Sequence, residues 1–178
     1  MNSTAERDEG KRPCGFQENL GLLRQIDFFS VLPIDTQKVV AYLCARERYK
    51  AGEYLFHQGD DDGRAFYILS GAVAIDREGA GTDGRAVVIR EYREGDFIGG
   101  LSLMGSMRRI FSARAKDDLA CMVLTRERFT RAIEQFPELM PKVMRIAVER
   151  IRAWEEQFIF DCAVRCDHYK EKVGVSLI

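Results

Sequence analysis

The chain has 178 residues, of which 46% are hydrophobic and 31% are charged, and its formal net charge at pH 7 is -1. This length suffices for one globular domain that buries its own core without a metal or disulfide bonds. The near-neutral charge lacks the basic footprint of a protein that binds nucleic acid or an anionic membrane, so we expect neither as a direct partner.

Cysteine usage and the N-terminal segment indicate the compartment. The five cysteines are irregularly spaced and match neither a disulfide framework nor a CxxC metal set; they are Cys14, Cys44, Cys121, Cys162 and Cys166. Residues 1–15 are polar, and this composition predicts a flexible tail. The segment also lacks the apolar region of a signal peptide. No apolar stretch reaches the ~18 residues of a membrane span. We therefore expect a cytoplasmic protein.

The segment after the tail is predicted to be helical. A dense apolar run from Leu20 to Leu32 ends at Pro33 and predicts a short helix followed by an apolar turn. Asp35 follows that proline and is the expected N-cap of a second helix, which runs to about Arg46.

From Tyr49 to Leu124 the chain consists of short apolar runs separated by glycine-containing turns. The runs cover residues 54–56, 66–69, 72–75, 86–89 and 121–124. Strands at this density, joined by short turns, predict an antiparallel sandwich or barrel rather than a parallel sheet with crossover helices. The expected fold class is therefore mainly β with flanking helices.

One of these turns, residues 59–63, has the sequence Gly-Asp-Asp-Asp-Gly and is called the acidic turn below. Three consecutive carboxylates suggest calcium, but the remaining ligand spacing of an EF-hand loop is missing, so we interpret the segment as a turn. The two histidines, His57 and His168, are also too few and too far apart for a jelly-roll metal site. We expect no metal.

The C-terminal part is predicted to be helical again. Residues 126–136 form one expected helix, Pro137 interrupts it, and a longer helix starts around Pro141. Apolar residues recur along the long helix in steps of 4, 3, 4, 3 and 4: Met140, Met144, Ala147, Ile151, Trp154 and Phe158. Such an a/d seam is typical of a helical interface. We predict a parallel homodimer whose interface contains Met144, Ala147, Ile151, Trp154 and Phe158.

Residues 95–115 carry the strongest functional signal, because a double glycine is followed by Arg109. Glycines let the backbone approach a ligand, and amides at the start of a helix attract an anion. An arginine further along can hold a phosphate through two parallel hydrogen bonds. The ligand-binding residues that we predict are Gly99, Gly100, Leu101, Ser102, Arg109 and Ile110.

Four segments stand in the order that is typical of cyclic nucleotide-binding domains, including the bacterial catabolite activator group: residues 29–32, 52–60, 66–73 and 95–99. From Ile26 to Phe158 the chain resembles that family. The resemblance implies an eight-stranded antiparallel β-roll (jelly-roll), a short cassette helix and a long C-terminal helix that often forms a dimer. It also implies that Arg109 clamps the phosphate and that amides of residues 99–101 meet it.

The sequence departs from the family pattern at two positions. A glutamate that accepts from the ribose 2'-hydroxyl usually follows the first glycine of the cassette, and this position is Gly100 here. Ile110 stands where a small polar residue is common. Loss of a charge-assisted hydrogen bond costs ~1.5–3 kcal/mol, so the resemblance implies weaker binding of an ordinary cyclic nucleotide.

The function that we expect is that of a stand-alone, non-enzymatic regulatory module. It binds cAMP, cGMP or a related phosphate-bearing ligand, needs no other cofactor, and relays binding through the C-terminal helix to a protein partner. The sequence contains no nucleophile elbow, HExxH motif or Walker loop. Twenty residues follow Phe158, so we expect no helix-turn-helix reader of DNA.

Two alternatives stay open at this point. The first is a degenerate cassette without a nucleotide, in a dimeric protein-interaction module, and Gly100 is the residue that favours it. The second is a redox or haem sensor that uses Cys162, Cys166 and His57. In either case the expected organisation is a tail (1–15), a β-roll with N-terminal helices (16–137), a dimerisation helix (138–160) and an extension (161–178).

Overall fold

The computed structural model describes residues 14–77 and 86–165. The chain divides into two compact units, residues 1–137 and 138–178. In the first unit, three helices precede the strands and one follows them: α1 (Cys14–Leu23), α2 (Asp27–Ser30), α3 (Ile34–Leu43) and α4 (Arg126–Glu134). The strands are β1 (Ala45–Tyr49), β2 (Tyr54–Phe56), β3 (Arg64–Ser70), β4 (Ala72–Arg77), β5 (Val87–Arg93), β6 (Phe97–Ile98), β7 (Ser112–Ala115) and β8 (Leu119–Thr125).

The strands form two antiparallel sheets of four, in the orders β1-β8-β3-β6 and β2-β7-β4-β5. The predicted antiparallel β-roll with flanking helices is therefore confirmed. Burial does not alternate along the strands: β3, β4 and β8 each contain four consecutive buried residues, whereas no residue of β5 is buried. One hydrophobic core cluster lies between the sheets and is built from Tyr49, Leu55, Phe56, Phe66, Ile68, Val73, Ile75, Ile98, Ala113, Ala115, Leu119, Cys121 and Val123.

The N-terminal helices differ from the sequence-based prediction at their ends. Helix α1 begins at Cys14, inside the predicted tail, and residues 1–13 lie outside the described residues. Contacts with later elements hold it, since the amide of Asn19 donates to the carbonyl of Ala41 at 3.3 Å. The prediction that Asp35 caps α3 is wrong: Pro33 is the N-cap, and Asp35 pairs with Lys38 at 2.9 Å in the first turn.

The second unit contains α5 (Met140–Arg165), a single helix of 26 residues. All five predicted interface residues lie on it, and the predicted boundary at residue 160 falls inside it. Met144 and Ile151 are exposed, but Ala147 is buried within the chain. The side chains of Trp154 and Phe158 lie outside the described residues. Residues 166–178 also lie outside them.

Glycines with positive φ shape several turns, and Gly71 between β3 and β4 is the tightest case. Its φ is +88°, and a Cβ there would lie 2.7 Å from the carbonyl oxygen of Asp118 and 3.1 Å from Cα of Leu119. Backbone atoms cannot move aside as the end of a flexible side chain can. The turn therefore requires glycine for both its dihedral angle and its space.

Replacement of Gly71 by alanine should lower the free energy of unfolding by more than replacement of Gly52, measured by urea unfolding. Gly52 has a φ of +90° but nothing within 4 Å of its Cβ position, so Gly52→Ala isolates the dihedral cost of about 1–2 kcal/mol. The clash at Gly71 should add roughly 1–3 kcal/mol. Equal losses in the two variants would contradict the described packing of this turn.

Candidate functional site

The predicted cassette begins where β6 ends. Gly99 has a φ of +82°, which L side chains rarely adopt, and a 3-10 helix follows from Gly100 to Leu103. This short element is called the cassette helix below. A Cβ on Gly99 would lie 2.7 Å from Nη1 of Arg109 and 2.8 Å from the carbonyl oxygen of Arg64. The missing side chain at Gly99 thus lets the arginine reach the cassette backbone.

Gly100 is required for a different reason. A Cβ at this position would lie 2.8 Å from Cε1 of Phe97. That ring is itself packed, with centroid distances of 6.3 Å to Phe28 and 5.6 Å to Phe29. A glutamate at residue 100 would have to displace Phe97 from this aromatic cluster. The absence of a carboxylate at residue 100 and the position of Phe97 against the N-terminal helices are therefore linked.

Arg109 is buried, with its side chain only 5% exposed. Its Nε donates to Oδ1 of Asp62 at 2.9 Å, and its Nη2 lies 2.8 Å from the same oxygen. Nη2 also donates to the carbonyl of Arg64, and the guanidinium carbon lies 3.9 Å from the ring centroid of Phe56. Burial lowers the pKa of Arg109, and the Asp62 carboxylate acts against that change. An arginine in this setting needs the carboxylate as its counter-charge.

Arg64 is fixed by its own polar contacts. Glu47 pairs with its Nη2, and the hydroxyl of Tyr49 donates to Oε2 of Glu47 at 2.7 Å. Burial raises the pKa of Tyr49, so its hydroxyl stays protonated as a donor. The backbone of Arg64 is held separately, by the pairing of β3 with Thr125 of β8, so its carbonyl offers Arg109 a fixed acceptor.

Arg126, the first residue of α4, joins three parts of the site. Its Nε donates to the carbonyl oxygen of Ser102 at 2.8 Å, and its Nη2 pairs with Asp61 of the acidic turn. Its backbone amide donates to the carbonyl oxygen of Gly63 at 2.6 Å. A Cβ on Gly63 would lie 3.0 Å from the guanidinium carbon of Arg126. The acidic turn thus contacts the cassette helix and α4 through one side chain.

The opposite side of Asp61 contacts the loop after the cassette helix. The hydroxyl of Ser106 donates to Oδ2 of Asp61. Hydrogen bonds from Ser106 and then from Arg126 hold the pKa of Asp61 below its usual value. Neighbouring carboxylates of the acidic turn therefore serve two arginines, because Asp61 binds Arg126 and Asp62 binds Arg109.

The predicted ligand-binding residues fall into three groups. Gly99, Gly100 and Arg109 meet at one place, whereas Ser102 is buried and contributes its carbonyl to Arg126. Leu101 and Ile110 are exposed beside them. Sequence reasoning missed Asp62 and Arg126. The sequence predicted only that Asp62 lies in an acidic turn, and it gave no indication that this residue pairs with Arg109.

The described residues contain no group of three or more side chains that could hold a metal ion. His57 stacks on Tyr54 with a centroid distance of 4.2 Å. Burial raises the pKa of Cys44 and of Cys121 to about 12, so both thiols stay protonated at neutral pH. Cys166 and the side chain of Cys162 lie outside the described residues. Among the helices that the structure describes, none has the length and apolarity to cross a membrane.

Comparison with known proteins gives one family. The family model "Cyclic nucleotide-binding domain" matches residues 46–136. Lysophospholipase nte1 of Aspergillus oryzae is 28% identical over 102 residues, and cGMP-dependent protein kinase 2 of Mus musculus is 26% identical over 124 residues. These matches cover 57% and 69% of this chain but only 6% and 16% of the relatives, so the chain spans a small part of either one.

A solved structure shows the same fold. The regulatory domain of Toxoplasma gondii PKA, crystallised with cAMP, superposes with a TM-score of 0.64 at 18% identity. The superposition covers 78% of this chain and 50% of that one.

Replacement of Arg109 by alanine should destabilise the protein strongly, because it leaves the largely buried Asp62 carboxylate without its cation. Breaking such a pair typically costs about 3–5 kcal/mol, so the midpoint of urea unfolding should fall clearly. The double variant Asp62→Asn/Arg109→Gln leaves no unpaired charge and should recover much of the loss. If the double variant is as unstable as Arg109→Ala, the pair does not stabilise the fold in this way.

Proposed function

The chain belongs to the cyclic nucleotide-binding domain family, and from that premise we propose that it acts as a regulatory sensor. Its ligand is a cyclic nucleotide, cAMP or cGMP, or a related phosphate-bearing molecule. Binding at the cassette is relayed through the helices that follow the β-roll to a partner protein. The role is one of binding and relay, without catalysis.

The observation that carries this proposal is the position of Arg109 at the cassette. Its Nη1 lies beside Gly99, where a Cβ would be only 2.7 Å away. Because Gly99 lacks a side chain, the guanidinium lies against the cassette backbone, and a phosphate bound at this place would meet both. An arginine can then hold two phosphate oxygens through parallel hydrogen bonds. Leu101 and Ile110 are exposed at the same place and offer apolar contacts to a base or sugar.

The route of the relay begins at the contact between Arg126 and Ser102. Any displacement of the cassette helix changes the 2.8 Å hydrogen bond from Nε of Arg126 to the carbonyl of Ser102. Because Arg126 is the first residue of α4, that helix responds at its start. The exposed apolar residues of α5, such as Met144 and Ile151, are suited to a second copy of the chain or to a partner protein.

A dimeric interaction module without a nucleotide is the second candidate. Two observations favour it: Phe97 occupies the space of a side chain at Gly100, and Asp62 already neutralises Arg109. Under this alternative, Arg109 is a structural arginine and the exposed face of α5 carries the function.

Calorimetric titration with cAMP and cGMP separates the two candidates. The wild-type chain should bind at least one of them, and the double variant Asp62→Asn/Arg109→Gln should bind it at least ~10-fold more weakly, because the phosphate loses its cation. Arg108→Ala is the matched control, since Arg108 is the exposed neighbour of the clamp. Absence of binding by a folded wild-type protein would favour the interaction module. Unchanged affinity in the double variant would refute the clamp.

Hydrogen exchange tests the relay. In the wild-type chain, saturating nucleotide should change the exchange of backbone amides in the cassette helix and in the first turn of α4. In Arg126→Gln the change should be confined to the cassette helix, because the side-chain link to Ser102 is lost. Arg131→Gln removes a surface ion pair with Glu127 on the same helix and should behave as wild type. An unchanged α4 response in Arg126→Gln would exclude this route.

A further inference from the structure

The acidic turn has a role in the site that goes beyond connecting two strands. Its third carboxylate, Asp62, contacts Arg109 with a single oxygen, Oδ1, which accepts from Nε at 2.9 Å and lies 2.8 Å from Nη2. Through these contacts a carboxylate of the chain holds the cation that the proposed ligand would need. Nη1, beside Gly99, is the guanidinium nitrogen on the cassette side.

The Asp62 carboxylate is only half satisfied in this arrangement. Its second oxygen, Oδ2, is buried and accepts no hydrogen bond from any residue that the structure describes. A buried acceptor without a donor costs free energy, so the pair is weaker than a fully satisfied arginine–carboxylate fork. An anion that satisfies Arg109 better can therefore displace Asp62.

A displaced Asp62 has a second cation close by in the chain. Arg126 pairs with the preceding residue, Asp61, and its guanidinium carbon would lie 3.0 Å from a Cβ on the following residue, Gly63. The positive charge of Arg126 also helps to lower the pKa of Arg109, after the larger effect of burial. When Arg109 no longer pairs with Asp62, the side chain of Arg126 can thus move along the acidic turn and supply the counter-charge of Asp62.

We propose that Asp62 is an internal competitor for the anion clamp, which sets the affinity of the cassette for its ligand. A fork of two parallel hydrogen bonds to a phosphate needs a second guanidinium nitrogen beside Nη1, and the ligand must take that nitrogen from Asp62. The apparent affinity is therefore the intrinsic affinity of the clamp multiplied by the fraction of the protein in which the pair with Asp62 is open. The inference rests on the proposed function for the natural ligand. The sequence alone places Asp62 in a turn and gives it no role in binding.

The test is the affinity of Asp62→Asn for cAMP, cGMP and inorganic pyrophosphate, measured by calorimetry. Asparagine keeps an acceptor for Nε of Arg109 but removes the competing charge, so the folded variant should bind about 10-fold more tightly or better. Because the variant also leaves Arg109 without its counter-charge, urea unfolding first establishes that it is folded under the conditions of the titration. Asp62→Ala, which removes the acceptor as well, should bind at least as tightly if it folds. Asp60→Asn is the matched control: it changes the same charge in the same turn, and its carboxylate accepts from the backbone amide of His57.

The outcomes separate this inference from the proposed function. Tighter binding of a cyclic nucleotide by Asp62→Asn, with Asp60→Asn unchanged, supports both. Tighter binding of pyrophosphate alone supports the competition and refutes the nucleotide as ligand. Unchanged or weaker binding of every probe by Asp62→Asn overturns the competition, and it does so whether or not the wild-type chain binds a nucleotide. An equal increase in affinity in Asp60→Asn also overturns it, because the increase would then come from the loss of any negative charge in the turn and not from Asp62 itself.

Discussion

A buried guanidinium keeps its charge, and a carboxylate beside it offsets the free-energy cost of burying that charge. Arg109 meets this requirement with Asp62, with the carbonyl of Arg64 and with the face of Phe56. Each partner comes from a different part of the β-roll: β2, the acidic turn and the start of β3. The position of the clamp therefore depends on the assembled roll, and the acidic turn is held at the same time by Arg126 at the start of α4.

The aromatic cluster behind the cassette imposes a second constraint. Phe28, Phe29 and Phe129 are buried around Phe97 in the space between α2, α4 and β6. This packing leaves no room for a side chain at Gly100 unless the ring of Phe97 moves. A ligand hydroxyl that would donate a hydrogen bond to a carboxylate at residue 100 therefore has no such acceptor in this chain. The clamp and the exposed apolar residues Leu101 and Ile110 are what the cassette offers instead.

Much of the fold follows from local sequence signals, and the parts that do not are instructive. The strands with continuous apolar runs, such as β3 and β8, were predicted because both patterning and turn residues agree. Strand β1 has the sequence Ala-Arg-Glu-Arg-Tyr and was missed, because charged residues predict a surface segment. In the fold, Glu47 of this strand is paired with Arg64 of β3. A charge partner 17 positions away along the chain leaves no local pattern.

The same limit applies to the site. Gly99, Gly100 and Arg109 were predicted because they are close in sequence and share a recognisable order. Asp62 lies 47 residues before Arg109, and Arg126 lies 24 residues after Ser102. Neither contact has a spacing that a single sequence can reveal. The proximity of Gly99 and Arg109 was thus predictable, whereas the pairing of Arg109 with Asp62 and the contact between Arg126 and Ser102 required the folded chain.

The most direct measurement of the central claim is a crystal structure of the chain grown with a saturating cyclic nucleotide. The account predicts a phosphate oxygen within hydrogen-bond distance of the Arg109 guanidinium and an Asp62 carboxylate that no longer contacts Arg109. A nucleotide bound at the cassette while Arg109 keeps both contacts to Asp62 would contradict it, because Asp62 would then not compete with the ligand for the guanidinium.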